Sequence, residues 1–272
     1  NFAYFNTKFY QERFDSVGAH PSDIKTIDDV EKLPIVTRDD ILEHYQDMLA
    51  YPVSKLVTGK TGGSSGHPLT FYFLPEYKYL IKPSLVKRIH YLTGAAGLKP
   101  IFYVWGSTGR NNVPKQLNAW QLATKTKYCY GFKSISLQGL EKLAGDFIKV
   151  QPQLVYGFVS LLRLLAQYLI EKGWIPVKKP KVIFATGETL SDEDRKLIED
   201  GLGGPVYNIY GSHENGFFAS ECKFRSGLHV FSDHVFLEVL DKHNNKRLVD
   251  APGFCTVTDL DNWGMPFIRY RN

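Results

Sequence analysis

Between residues 101 and 209 short apolar runs alternate with stretches whose apolar residues recur at helical spacing. Ile101-Phe102-Tyr103-Val104-Trp105 is a short run rich in β-branched and aromatic residues, which predicts a strand. Ser136 precedes Leu140, Leu143, Ala144, Phe147 and Ile148, which share one helical face, so Ser136 caps a helix. Leu154-Val155-Tyr156 predicts a second strand. Ser160 then caps a helix carrying Leu161, Leu164, Leu165, Tyr168 and Leu169 and closed by Gly173. Lys181 to Ala185 is a strand. Ser191-Asp192-Glu193-Asp194 opens another helix as a capping box, and that helix ends near Gly203-Gly204. Pro205 to Ile209 is again a strand. Strands alternating with helices imply an α/β class: a parallel sheet with helices on both faces.

The flanks read differently. Residues 1 to 50 are expected to be helical and peripheral, with Thr37 and Asp40 forming a capping box. The Gly/Ser-rich stretch from Thr58 to Pro68 lies between Leu56-Val57 and Leu69-Thr70-Phe71-Tyr72-Phe73, so it joins two strands. From residue 228 the pattern becomes antiparallel. His229 to Leu240 and Gly253 to Leu260 are strands joined by a hairpin turn at Asn244-Asn245, and Phe267 to Tyr270 is a further short strand. Two regions are therefore expected: an α/β body over 1–227 and an antiparallel β subdomain over 228–272.

Composition narrows the function classes. A chain of 272 residues with 43% apolar and 22% charged residues can bury a sizeable core, which excludes disorder, collagen and a disulfide miniprotein. The net charge of +5 is scattered without a Lys/Arg run, which argues against nucleic acid. Cys129, Cys222 and Cys255 are odd in number and widely spaced, so a reducing, cytoplasmic compartment is expected. The longest apolar stretch, Val159 to Ile170, is interrupted by Arg163 and Gln167 and is too short for membrane insertion. The chain starts at Asn1 without an initiator Met or a basic leader and stops at Asn272, so it reads as a fragment.

Three segments carry candidate chemistry. In Thr61-Gly62-Gly63-Ser64-Ser65-Gly66-His67-Pro68 the glycines let backbone N–H groups converge on an anion, and the hydroxyls add donors, which suits a polyphosphate. A Walker A loop would need Gly at Ser54. Gly62-x-Ser64-x-Gly66 matches a nucleophile elbow, but an elbow needs a helix next, and Leu69 to Phe73 looks like a strand. A plain surface loop is the bland alternative. Gly187-Glu188-Thr189 follows a strand, where open parallel sheets bind ligands, unless it merely leads into the Ser191 cap. Asn208-Ile209-Tyr210-Gly211-Ser212-His213-Glu214 offers a flat ring in Tyr210, close approach at Gly211 and a hard oxygen ligand in Glu214. An aromatic packed under a turn is its bland counterpart.

Together these segments resemble the adenylate-forming superfamily, in the branch of the phenylacetate–coenzyme A ligases and their capsule-biosynthesis relatives. The resemblance extends from Leu33-Pro34-Ile35-Val36-Thr37-Arg38-Asp39-Asp40 to Met265-Pro266-Phe267-Ile268-Arg269-Tyr270-Arg271 and includes Val257-Thr258-Asp259-Leu260. It implies the N-terminal domain of an ATP-dependent acid–thiol ligase. Thr61, Gly62, Gly63, Ser64, Ser65 and Gly66 would grip the ATP phosphates. The Gly187-Glu188-Thr189 backbone, with Asn208, Tyr210 and Gly211, would hold the adenine of ATP or AMP. Glu214 would bind Mg²⁺ and, with Thr61, carry the catalysis. Tyr156, Gly157 and Phe158 would line the pocket for a small carboxylic acid, although core packing would explain both rings. Coenzyme A is the expected acceptor, and a homodimer is compatible with the resemblance.

The resemblance also marks departures. A ribose-binding Asp and a lid domain with a catalytic Lys would follow Asn272, so the fragment is expected to be inactive alone. Cys222 and His229 match two of four Zn²⁺ ligands of some relatives, whereas a buried thiol and a surface His explain the pair without metal. Across classes, a serine hydrolase using Ser64 with Asp192 and His213, or a noncatalytic nucleotide-binding module, are the rivals.

Overall fold

A computed structural model describes residues 1–61, 68–106, 125–132, 135–246 and 251–271. The chain forms two compact units that interleave along the sequence. One comprises Asn1–Ser84, His213–Phe218 and Val230–Asn272, and the other Leu85–Ser212 and Ala219–His229. The chain opens with α1 (Phe2–Asn6), α2 (Lys8–Ser16), β1 (Val36–Thr37), α3 (Arg38–His44), β2 (Val57–Lys60) and β3 (Thr70–Phe73). Helix α4 (Lys82–Thr93) follows a π-helical turn at Tyr77–Ile81. Next come β4 (Ile101–Gly106), β5 (Lys127–Phe132), α5 (Leu137–Val150), β6 (Leu154–Phe158), α6 (Val159–Glu171), β7 (Val182–Thr186), α7 (Asp192–Leu202) and β8 (Val206–Ser212). Strands β9 (Gly216–Ser220), β10 (His229–Val230), β11 (Val235–Leu240), β12 (Phe254–Asp259) and β13 (Tyr270–Arg271) complete the chain.

The large sheet has the order β10-β9-β8-β7-β6-β4-β5, and β4 to β8 pair in parallel. All five residues of β7 are buried, as the apolar run demands of a strand covered on both faces. Phe102, Val104, Val155, Ile183 and Ala185 pack on Leu143, Phe147, Leu162, Leu165, Ile198 and Leu202 of the helices. The Ser136 and Ser191 hydroxyls accept from the backbone N–H of Gly139 (3.1 Å) and Asp194 (3.0 Å), so both caps form where expected. Helices α6 and α7 approach closely because Gly201 has no side chain. A Cβ there would stand 2.7 Å from the Ala166 backbone. Gly201→Val should therefore cost about 1–3 kcal/mol through overpacking. A urea midpoint equal to wild type would show that the helices can separate freely.

In the other unit, β1-β13-β12-β11 form a four-stranded sheet, and β2 and β3 pair antiparallel. The expected peripheral position of residues 1 to 50 is corrected here. Tyr10 is fully buried, donates to the Pro266 carbonyl and accepts from the Ile268 N–H, both at 2.9 Å. Val36 pairs with Tyr270, and Phe9, Phe14 and Ile41 join the same core as Met265 and Phe267. An amphipathic segment looks peripheral until the partner that covers its apolar face is known. The Thr37–Asp40 capping box forms in both directions, as expected. The hairpin turns at Asn244, whose φ is +68°.

Several strand limits differ from expectation, and β2 runs on to Lys60, taking Thr58, Gly59 and Lys60 from the expected loop. Arg269 adopts φ +50°, so the last strand begins at Tyr270 rather than Phe267. The stretch from His229 to Leu240 is interrupted by a turn at Phe231, whose carbonyl accepts from His234 and Val235. Strand β8 runs on to Ser212, past the expected end at Ile209. Among the elements the pattern does not disclose are α4, β5 and β9.

Candidate active site

Strands β6, β7 and β8 place candidate residues at their carboxyl ends. Tyr156 is buried, its ring stacks on Tyr103 at 5.0 Å, and its hydroxyl pairs with His90 Nε2. Burial raises the Tyr156 pKa strongly and lowers that of His90. Phe158 is half-buried and lies against Trp105. A Cβ on Gly187 would come within 2.9 Å of the Phe158 ring, and Gly187 also adopts φ +80°, so only glycine fits there without strain. Gly157 is likewise enclosed: a Cβ would stand 2.7 Å from Leu162.

The neighbouring carboxylate corrects one expectation. Ser160 is not the cap of α6; Phe158 holds the N-cap position without a side-chain bond. Glu188 takes over that task. Its carboxylate accepts the Ser160 backbone N–H at 2.6 Å and the Ser160 hydroxyl at 2.8 Å. A carboxylate satisfies an orphan donor and matches the positive end of the helix dipole, which one hydroxyl inside the first turn cannot do as well. This contact turns the Glu188 side chain toward α6. Glu188→Ala should lower stability by about 1 kcal/mol, read as a drop in melting temperature. An unchanged melting temperature would argue against the cap.

On β8, Asn208 is anchored through its backbone. Its N–H donates to Glu221 Oε2 at 2.8 Å, and Glu221 is in turn held by Arg195 at 2.7 and 3.1 Å. Tyr210 is 41% exposed, enough to offer a ring face to a ligand. Cys222 is half-buried and His229 exposed. Among the described residues no group of three His, Cys, Asp or Glu could hold a metal ion, and all three cysteines are free.

The other unit holds Thr61 and Glu214. Thr61 N–H donates to the Leu69 carbonyl at 3.0 Å, and its Oγ1 accepts from Leu69 N–H at 2.8 Å, which closes the neck of the glycine loop. Gly62, Gly63, Ser64, Ser65 and Gly66 themselves lie outside the described residues. Because β3 follows that loop, the helix a nucleophile elbow requires is absent from this position.

Glu214 lies in the short turn between β8 and β9 and is 1% exposed. Its Oε1 is buried without a hydrogen-bond partner among the described residues. An orphaned carboxylate oxygen is costly unless something else supplies a positive charge, and a hard divalent cation does so. Tyr270 comes near the carboxylate but its hydroxyl misses hydrogen-bond geometry. Burial and then the Glu214 charge push its pKa up, opposed by Arg38. Lys82 Nζ donates to the His213 carbonyl at 2.7 Å, and His234 Nε2 donates to the Asn215 carbonyl at 2.8 Å. Burial pushes Lys82 down to about 8, against the pull of Asp259 and Glu214. Tyr77 donates to Asp259 Oδ2 at 2.6 Å, and burial raises both pKa values. The chain pattern assigned no role to Lys82, His234 or Tyr77. A lysine within an aromatic-rich stretch was the one available signal.

A phenylacetate-coenzyme A ligase of Pseudomonas putida is 28% identical over 99% of this chain and 62% of its own length. Protein CapK of Staphylococcus aureus is 26% identical over 100% of this chain and 59% of its own. The chain is a distant homologue of these proteins. It spans about three fifths of the length of these curated relatives. No protein-family model matches it. An open-conformation crystal structure of 2-hydroxyisobutyryl-CoA ligase, in complex with 2-HIB-AMP and CoA, aligns with a TM-score of 0.80 at 21% identity, covering 99% of this chain and 65% of that one. The chain thus shares its fold with that ligase over the aligned part. Among the described residues no helix is long and apolar enough to cross a membrane.

Proposed function

We propose that the protein containing this chain activates a carboxylic acid with ATP and Mg²⁺ and transfers the acyl group to the thiol of coenzyme A. The observation that carries this reading is the buried Glu214 carboxylate with its orphaned oxygen. Distant homology to phenylacetate-coenzyme A ligases and the fold shared with a ligase captured with 2-HIB-AMP and CoA support it.

A carboxylate with a pKa near 4 is already ionised at neutral pH, so the first step needs no general base. Its oxygen attacks the α-phosphorus, the bond to the bridging oxygen of the β-phosphate breaks, and pyrophosphate leaves. The thiol sulfur then attacks the acyl carbon, AMP departs with the bridging oxygen, and the thiol proton goes to solvent. The obstacle in the first step is repulsion between an anion and a polyanion. Mg²⁺ held by Glu214 would offset that charge. Thr61, Gly62, Gly63, Ser64, Ser65 and Gly66 would grip the phosphates with their N–H and hydroxyl donors. The Gly187-Glu188-Thr189 backbone, Asn208, Tyr210 and Gly211 would seat the adenine, the Glu188 side chain being engaged at α6. Tyr156, Gly157 and Phe158 would line the acid pocket.

The test is release of pyrophosphate by the full-length protein across a panel of aliphatic and aromatic acids, with thioester formation followed on adding coenzyme A. Release that depends on the acid supports the reading. Absence of release with every acid, at saturating ATP and Mg²⁺, overturns it.

A further inference from the structure

We propose that Lys82 and His234 are positioning residues for Glu214, gripping the main-chain carbonyls on either side of it so that its carboxylate is presented to a divalent cation. This rests on the ligase reading, in which Glu214 takes that cation.

The turn carrying Glu214 links two strands in only a few residues, and a turn whose carbonyls had no partners would be free to move. Here both flanking carbonyls are held. Lys82 Nζ takes the carbonyl of His213, and His234 Nε2 takes that of Asn215. These two bonds fix the peptide plane that precedes Glu214 and the Asn215–Gly216 plane one residue beyond it, and so restrain the turn that carries its side chain. His234 is itself fixed: it is 1% exposed, and its Nδ1 lies 2.7 Å from Asp261 Oδ2.

Lys82 is placed by an irregularity in its helix. The Lys82 N–H bonds the Tyr77 carbonyl five residues back, the signature of a π turn. In a regular α-helix residues five apart point in different directions; one π turn brings Tyr77 and Lys82 to the same side. The ammonium then lies 4.9 to 5.6 Å from the ring centroids of Phe71, Phe73 and Tyr77. Such rings hold a cation without neutralising it.

The choice of acceptor separates positioning from simple charge pairing. Were Lys82 present to neutralise Glu214, its strongest arrangement would be a charge-assisted bond to the carboxylate. It bonds the adjacent carbonyl instead, and Oε1 of Glu214 is left without a partner. The lysine thus supports the turn and leaves the oxygen for another cation.

The test uses the full-length protein with Mn²⁺ as the probe in place of Mg²⁺, its binding read by electron paramagnetic resonance with ATP present. Lys82→Met removes the donor and keeps an unbranched side chain only one atom shorter. It should weaken Mn²⁺ binding about tenfold or more, the usual cost of losing a group that orients a metal ligand. Lys82→Arg should recover most of the loss, and ATP affinity without divalent ion should stay at the wild-type value. His234→Gln, milder than an apolar change at a buried site, should fall between. A folded Lys82→Met protein with wild-type Mn²⁺ affinity overturns the proposal. If Glu214→Gln lowers Mn²⁺ affinity but neither Lys82→Met nor His234→Gln does, the positioning role alone fails. If Glu214→Gln also leaves Mn²⁺ binding unchanged, the metal assignment of the ligase reading fails with it.

Discussion

Glu214→Gln is expected to lower acid-dependent pyrophosphate release by the full-length protein about a hundred- to a thousandfold. The amide keeps the size of the side chain and removes the charge that would hold Mg²⁺ against the phosphates. Stability should move the other way or not at all. The carboxylate is 1% exposed with one oxygen unpartnered, so replacing it with a neutral group removes a desolvation cost. The pair of measurements is a steady-state assay at saturating ATP and a thermal melt. Turnover near that of wild type would falsify the assignment of Glu214. A large loss of stability would instead mark the residue as part of the scaffold.

Arg269→Met is expected to be the most destabilising single change outside the apolar cores, at about 3–5 kcal/mol. The guanidinium bonds Glu238 twice, at 3.0 and 2.9 Å, with the two side chains only 4% and 2% exposed. It also donates to the carbonyls of Glu31 and Leu33, which ties the N-terminal segment to the sheet. Removing it strands a buried carboxylate and leaves two carbonyls without their donor. Adding Glu238→Leu to Arg269→Met should recover much of the loss, because an apolar pair of similar volume carries no unpaired charge. Urea unfolding of the single and double variants decides between these outcomes. A single-variant cost below about 1 kcal/mol would mean that water reaches the pair.

Much of the fold was legible because its causes are local. The hydroxyls at Thr37, Ser136 and Ser191 find N–H groups three residues away, so their caps can be read from the chain alone. The two strands expected on either side of the glycine stretch are present as β2 and β3, although β2 takes in Thr58, Gly59 and Lys60, which the chain pattern assigns to the loop. Ser160 shows the limit of such reasoning. Its spacing is that of a cap, yet a carboxylate 28 residues downstream occupies the helix end. Arg269 shows another. An apolar run predicted an extended strand, but a left-handed residue lets the guanidinium reach Glu238, and no nearest-neighbour pattern encodes that choice.

By itself the chain determined the alternation of strands and helices and the capped helix starts at Thr37, Ser136 and Ser191. These follow from periodicity and from hydrogen bonds that span a few residues. Tertiary structure alone decided that residues 1 to 50 are built into a core, through Tyr10 reaching a backbone 256 residues away. It alone placed Lys82 on a carbonyl 131 residues distant, and His234 on the carbonyl of Asn215, so that Glu214 is held from both sides. The physical reason is the same in each case. A buried polar group takes whichever partner the packed chain brings within about 3 Å, and sequence separation has no bearing on that distance.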